Sequence, residues 1–233
     1  MNRFICVVAA AVTAITFAPA AARATSISVL NPSFEILPAG GLPNSCGAGC
    51  NYSNTAIPDW NSPPGTTGQF QPSGADFNYL PDGTTIAFSG NGRIWQMVSA
   101  TTVAGVTYTL QVDVGHRKGI GVLSLVGLNI GGTASGGSIV GGTDIGATGT
   151  EPTDGNWSTF TATYLASATG LSISIIMDDN APAVNQAGYW DNVRLSDDTT
   201  SVGATPLPAA LPLFVSGLGA LGLVARRRKK ASA

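Results

Sequence analysis

The chain has 233 residues, of which 44% are hydrophobic and only 10% charged, with 30 glycines and a formal net charge of −2. These figures exclude a disordered polar chain, a collagen-like repeat and a strongly basic nucleic-acid binder. The charge is unevenly placed: seven of the eleven Lys and Arg lie at the two ends, while thirteen acids and four bases share Glu35 to Asp198, a charge of −9.

Residues 1–24 read as a secretory signal peptide. Arg3 supplies the positive start, Phe4 to Ala18 is apolar except for Thr13 and Thr16, and Ala22-Arg23-Ala24 gives the small-x-small pattern of a signal peptidase site. The run is short for a bilayer span, so cleavage rather than anchoring is expected, and the mature chain would begin near Thr25 outside the cytoplasm. Cys6 leaves with that segment. Cys46 and Cys50 remain, in C-G-A-G-C, a spacing that lets a tight disulfide loop close in an oxidising compartment. The competing zinc reading lacks a second ligand pair, because His116 is the only histidine.

Residues 25–198 show strand periodicity and no sustained helical pattern. Val106, Tyr108, Leu110, Val112 and Val114 alternate with polar residues, as do Phe160, Ala162 and Tyr164, and Leu171, Ile173 and Ile175. Further strands are expected at 27–35, 84–88, 93–99, 121–130, 137–145 and 188–195. About nine short strands, each with one polar face, predict an all-β antiparallel two-sheet sandwich of one domain. Residues 37–83 carry Pro38, Pro43, Pro58, Pro63, Pro64, Pro72 and Pro81, too many for regular pairing, so this stretch is expected to be irregular. Twelve of the 37 residues from Gly119 to Gly155 are glycine, which predicts long loops or a flexible hairpin.

Residues 199–205 form a short polar linker. From Leu207 to Ala225 there are 19 residues without a charge, followed by Arg226, Arg227, Arg228, Lys229 and Lys230. That order is a stop-transfer pattern with its basic flank in the cytoplasm, and the prolines place the membrane helix at about 209–225. The Pro206-Leu207-Pro208-Ala209 motif, the S-G-L-G-A-L-G-L run and the basic tail together resemble the PEP-CTERM sorting signal, in its P-L-P-A variant, over 206–233. The resemblance implies recognition by an exosortase in a Gram-negative bacterium that makes exopolysaccharide. It also implies transient anchoring in the inner membrane and delivery to the cell envelope or beyond.

A second resemblance covers nearly the whole mature domain. L-N-P-S-F-E at 30–35, I-P-D-W at 57–60, T-I-A-F at 85–88, I-W-Q-M-V at 94–98 and G-V-T-Y-T-L at 105–110 occur in that order. N-W-S-T-F-T-A-T-Y at 156–164, L-S-I-S-I at 171–175 and Y-W-D-N-V-R-L at 189–195 complete the series. The series is similar to the galactose-binding-like jelly rolls, which include many carbohydrate-binding modules. The similarity implies a jelly roll with both termini on one side. It also implies a structural Ca²⁺ held by Glu35 and Asp191 with backbone carbonyls; the alternative is two acids that cap turns or pair with Arg93 or Arg194.

Nothing in the sequence forms a recognisable catalytic set. G-x-S-x-G is absent, His116 stands without a supporting motif, and Asp178-Asp179 reads as a solvated strand end. The chain is therefore expected not to be an enzyme but to bind carbohydrate, the producer's exopolysaccharide. A structural matrix protein without a ligand site is the competing class, and a glycan-active enzyme a third. Sugar binding needs exposed aromatic faces, and Trp60 and Tyr79, in the Pro-rich stretch, are the expected contacts. Trp157 and Trp190 adjoin alternating strands and are expected in the core. The acidic middle disfavours nucleic acid.

Overall fold

The computed structural model describes residues 24–122, 124–179 and 186–199; the signal-peptide and sorting-signal expectations at 1–23 and 200–233 lie outside the described residues. Among the described residues the regular structure is all strand, and no helix is long and apolar enough to cross a membrane. The strands are β1 (Thr25–Ile27), β2 (Asn44–Gly47), β3 (Cys50–Ser53), β4 (Thr67–Gln71) and β5 (Ile86–Ser89). They continue with β6 (Gly92–Thr101), β7 (Thr107–Gly115), β8 (Gly121–Val122), β9 (Leu125–Ile130) and β10 (Thr133–Ser135). The last five are β11 (Ser138–Val140), β12 (Thr143–Gly146), β13 (Trp157–Leu165), β14 (Ser172–Asp179) and β15 (Gln186–Asp197).

Two sheets face each other as a jelly-roll-like sandwich. The larger runs β13-β7-β15-β5-β4-β3-β2, with β1 antiparallel and β8 parallel to β15; the smaller runs β12-β9-β14-β6. Alternation decides what each strand buries. Tyr108, Leu110, Val112 and Val114 on β7, Ala162 on β13 and Val193 and Leu195 on β15 meet Val126, Leu128, Ile173, Ile175 and Met177 of the smaller sheet. Burying each such side chain contributes about 1.5–3 kcal/mol. Trp190 is wholly inaccessible at the centre of this core. Thr25 pairs with Asp197, which brings the first and last strands together at one end.

Four expectations change, one being the strand foreseen at 121–130, which is divided between β8 beside β15 and β9 in the smaller sheet. The strand foreseen at 27–35 stops at Ile27, because Asn31 and Phe34 take left-handed backbone (φ 45° and 58°) and the Asn31 side chain bonds Ile36 and Pro58 instead of a neighbouring strand. The strand foreseen at 137–145 is two, β11 and β12, separated by the Gly141-Gly142 pair at φ 72° and 75°. The stretch 37–83 is not wholly irregular: β2, β3 and β4 lie within it and extend the larger sheet beyond β5. All seven of its prolines fall outside those strands, before β2, between β3 and β4, or after β4.

Candidate functional site

Consecutive strand residues point to opposite faces, so the Tyr189-Trp190 pair on β15 cannot both enter the core. Trp190 enters it, and Tyr189 stands on the outer face of the larger sheet. The register brings matching residues beside it: Phe88 of β5 lies opposite Tyr189, and Tyr52 of β3 opposite Phe70 of β4. Their rings pack edge-on or tilted, with Phe70 6.1 Å from Tyr189, and both Tyr52 and Phe70 6.4 Å from Phe88. These four aromatics, with Cys46, Gly90, Ala187 and Arg117, line a cavity of about 260 Å³. Cys46 is held there by its disulfide to Cys50, which closes the β2–β3 hairpin.

Arg117 comes from the loop after β7 and is fixed on three sides. Its guanidinium lies 4.9 Å over the Phe70 ring, donates to Asp76 at 2.9 Å and 2.7 Å, and reaches the Tyr189 hydroxyl at 3.4 Å. Asp76 is set in turn by Ser73, whose backbone N–H and hydroxyl each donate to it at 2.8 Å. Burial works against the Asp76 charge, yet the Ser73 hydrogen bonds and the guanidinium outweigh it and hold this carboxyl below its ordinary value. Burial raises the Tyr189 phenol, so it stays protonated at neutral pH.

A strap at 72–85 crosses this outer face. Phe77 packs between Tyr189 and Trp157, at 5.5 Å and 4.9 Å. Trp157 bonds the strap backbone at Tyr79 through its indole N–H, at 2.9 Å. Beyond Trp157 lies a second, polar cleft of about 240 Å³, lined by Tyr79, Pro81, Asp113, Trp157, Ser158 and Thr159. Asp113 accepts hydrogen bonds from Thr159 (2.6 Å), Asn192 (2.9 Å) and both terminal nitrogens of Arg194 (3.3 Å each). Asp191, opposite Asp113 across the strands, is fully buried beneath the strap's Asp82. Burial first, then the neighbouring charges of Asp82 and Asp113, push its pKa up to about 7 against two backbone N–H donors.

Glu35 and Asp191 both bind the backbone of the same turn of the strap. The Glu35 carboxylate takes the backbone N–H groups of Thr84 (2.8 Å) and Thr85 (2.7 Å), and a Cβ at Gly83 would collide with it; Asp191 takes the N–H of Asp82 (3.0 Å). Among the described residues no three His, Cys, Asp or Glu side chains form a metal-sized group. Both carboxylates are oxygen donors of the kind a hard cation takes, and carbonyl oxygens would have to complete any shell.

Of the aromatics singled out by sequence, Tyr79 is 53% exposed at the mouth of the polar cleft. Trp60 is a correction: it is buried, not exposed. Asp59 adopts left-handed backbone (φ 67°), which turns the indole inward onto Phe34 at 5.3 Å, and its N–H donates to the Asn31 carbonyl at 3.0 Å. Trp157 and Trp190 are buried. Sequence reading missed Tyr52, Phe70, Phe88, Tyr189, Arg117 and Asp76. The adjacent aromatics Tyr189-Trp190 and the doubly apolar I-A-F of β5 were the available signals that a second apolar face exists.

The fold and this outer face define an all-β sandwich with an aromatic cavity on its larger sheet. The HpiC1-like family model, described as HpiC1 cyclase, matches residues 25–196, and the chain belongs to that family. The expectation of a non-catalytic protein is thereby corrected: the family is one of cyclases. Among solved structures, the chain is similar to the Stig cyclase Fisc from Fischerella sp. TAU in complex with (3Z)-3-(1-methyl-2-pyrrolidinylidene)-3H-indole, at 19% identity and TM-score 0.53 over 75% of this chain and 98% of that one. A second structure, of a cyclase from Fischerella sp. TAU in complex with 4-(1H-indol-3-yl)butan-2-one, is 20% identical with TM-score 0.51 over 74% and 97%. These likenesses establish a shared fold. The xylan-binding CBM22-1 domain of Paenibacillus barcinonensis Xyn10C is more distant, 11% identical with TM-score 0.43 over 77% and 97%. No protein of curated function matches the chain.

Proposed function

We propose that this protein is a cyclase that closes a ring on an apolar substrate carrying a planar aromatic group, held in the outer-face cavity. One observation carries the reading: Tyr52, Phe70, Phe88 and Tyr189 surround a cavity of about 260 Å³ whose charged lining group, Arg117, is already paired with Asp76. Such a lining suits an apolar ring better than a hydroxyl-covered sugar. Family membership supplies the reaction class, and Tyr189 is a protonated donor at the wall. The experiment is titration of the full chain with 4-(1H-indol-3-yl)butan-2-one, the ligand of the similar cyclase, in parallel with Tyr52→Ala and Phe88→Ala.

Polysaccharide binding is the second reading, and the polar cleft beside half-exposed Tyr79 favours it. A glycan array answered by Tyr79→Ala tests it. Calcium at Glu35 and Asp191 stays within this proposal, as does export through a signal peptide and an exosortase-type signal. The Cys46–Cys50 disulfide supports an oxidising location.

A further inference from the structure

We propose that Arg117 is the specificity-determining residue of the aromatic cavity and selects neutral ligands that present a hydrogen-bond acceptor beside their ring. The inference rests on the reading of that cavity as the substrate pocket and names the substrate class it takes.

A guanidinium carries five N–H donors in a rigid fork. The described residues offer acceptors to three: two face Asp76, and one reaches the Tyr189 oxygen at 3.4 Å, the long end of a hydrogen bond. Arg117 is one of the cavity's lining residues and its side chain keeps 30% exposure, which leaves the two remaining N–H groups for a ligand. The fork is held in place. Phe70 lies beneath it at 4.9 Å, Asp76 holds one edge, and the next residue's backbone is pinned by Lys118 N–H donating to the Asp76 carbonyl at 3.0 Å. An immobile donor in an apolar wall rewards a ligand atom that meets it and penalises one that leaves it dry and unpaired.

The local charge determines which acceptor suits. Asp76 neutralises Arg117. With its charge already met by Asp76, Arg117 has no surplus positive charge for a ligand carboxylate, whose desolvation would go uncompensated. A carbonyl, ether or imine-type nitrogen satisfies the fork without bringing charge.

The test is calorimetric titration of the full chain with three probes of one shape: 4-(1H-indol-3-yl)butan-2-one, 3-butylindole and indole-3-butyrate. The ketone should bind about tenfold or more tighter than 3-butylindole, the scale of a hydrogen bond to a charged group, and also tighter than the carboxylate. In Arg117→Met the preference of ketone over 3-butylindole should fall to about twofold or less. Arg117→Lys keeps the charge but not the fork and should also lose most of the preference; melting curves identify a variant that has unfolded, and the wild-type comparison needs no variant. Equal binding of ketone and 3-butylindole overturns this inference and leaves the pocket standing, as does a preference that survives both substitutions. Tighter binding of the carboxylate overturns the selection for neutral ligands. Binding of none of the three overturns the pocket reading and this inference with it.

Discussion

Asp191 sits under Asp82 with no solvent contact, and its pKa lies near 7 rather than the ordinary 3.8. A carboxyl whose folded pKa is raised favours the folded state while protonated, and that contribution is lost as pH rises through the folded value. Without divalent cations, stability should therefore fall between about pH 4 and pH 7, by a few kcal/mol at most, and Asp191→Asn should flatten the profile. Chemical denaturation in chelator at several pH values checks this; calcium should restore stability near pH 8 if Glu35 and Asp191 hold it. An Asp191→Asn profile parallel to wild type would exclude the assignment. Trp60 and Trp190 belong to the same scale. Both are buried, so Trp60→Ala and Trp190→Ala should each cost about 3–5 kcal/mol in a denaturant series. A Trp60→Ala protein as stable as wild type would return that indole to the surface.

At the scale of elements, the β2–β3 hairpin is the outermost part of the larger sheet and forms one wall of the cavity through Cys46. Its strands are four residues each, too short to hold themselves in register, and the Cys46–Cys50 bridge does so. Chain-entropy reasoning gives so short a loop about 2 kcal/mol. Reduction, or a double Cys→Ser variant, should lower the melting temperature by several degrees and weaken ligand binding more than stability; unaltered binding in the reduced protein would remove the hairpin from the site. The elements also show what the sequence could disclose. The strands β7, β13 and β14 were legible because one face is apolar and the other polar. The strands β2 to β4 were not, because they are short, both faces of β4 are covered, and prolines crowd the turns around them. The two halves of the cavity come from Tyr52, Phe70 and Phe88 on one side and Tyr189 and Arg117 on the other, and only pairing across four strands unites them. No local pattern carries that information. The Cys46–Cys50 pairing was legible because five residues of chain suffice to form it.

For the whole molecule, the apolar, cation-flanked ends and the acidic domain between them set an expectation about processing. Protein recovered from the producer's envelope should have a mass lacking residues 1–24 and most of the chain after Pro208; an attached RRRKK tail would count against exosortase handling. The fold itself is shared with cyclases at under 25% identity, so the sandwich does not name a reaction, and the reading of function depends on what the outer face holds. The most direct measurement is calorimetric titration of the full chain with 4-(1H-indol-3-yl)butan-2-one, wild type against Tyr52→Ala and Phe88→Ala, each with its melting curve. The account predicts saturable binding to the wild type, weakened about tenfold or more in each variant while the melting transition is retained, since both rings are half-buried at the cavity wall. No binding to the wild type, or equal binding by all three proteins, would contradict it.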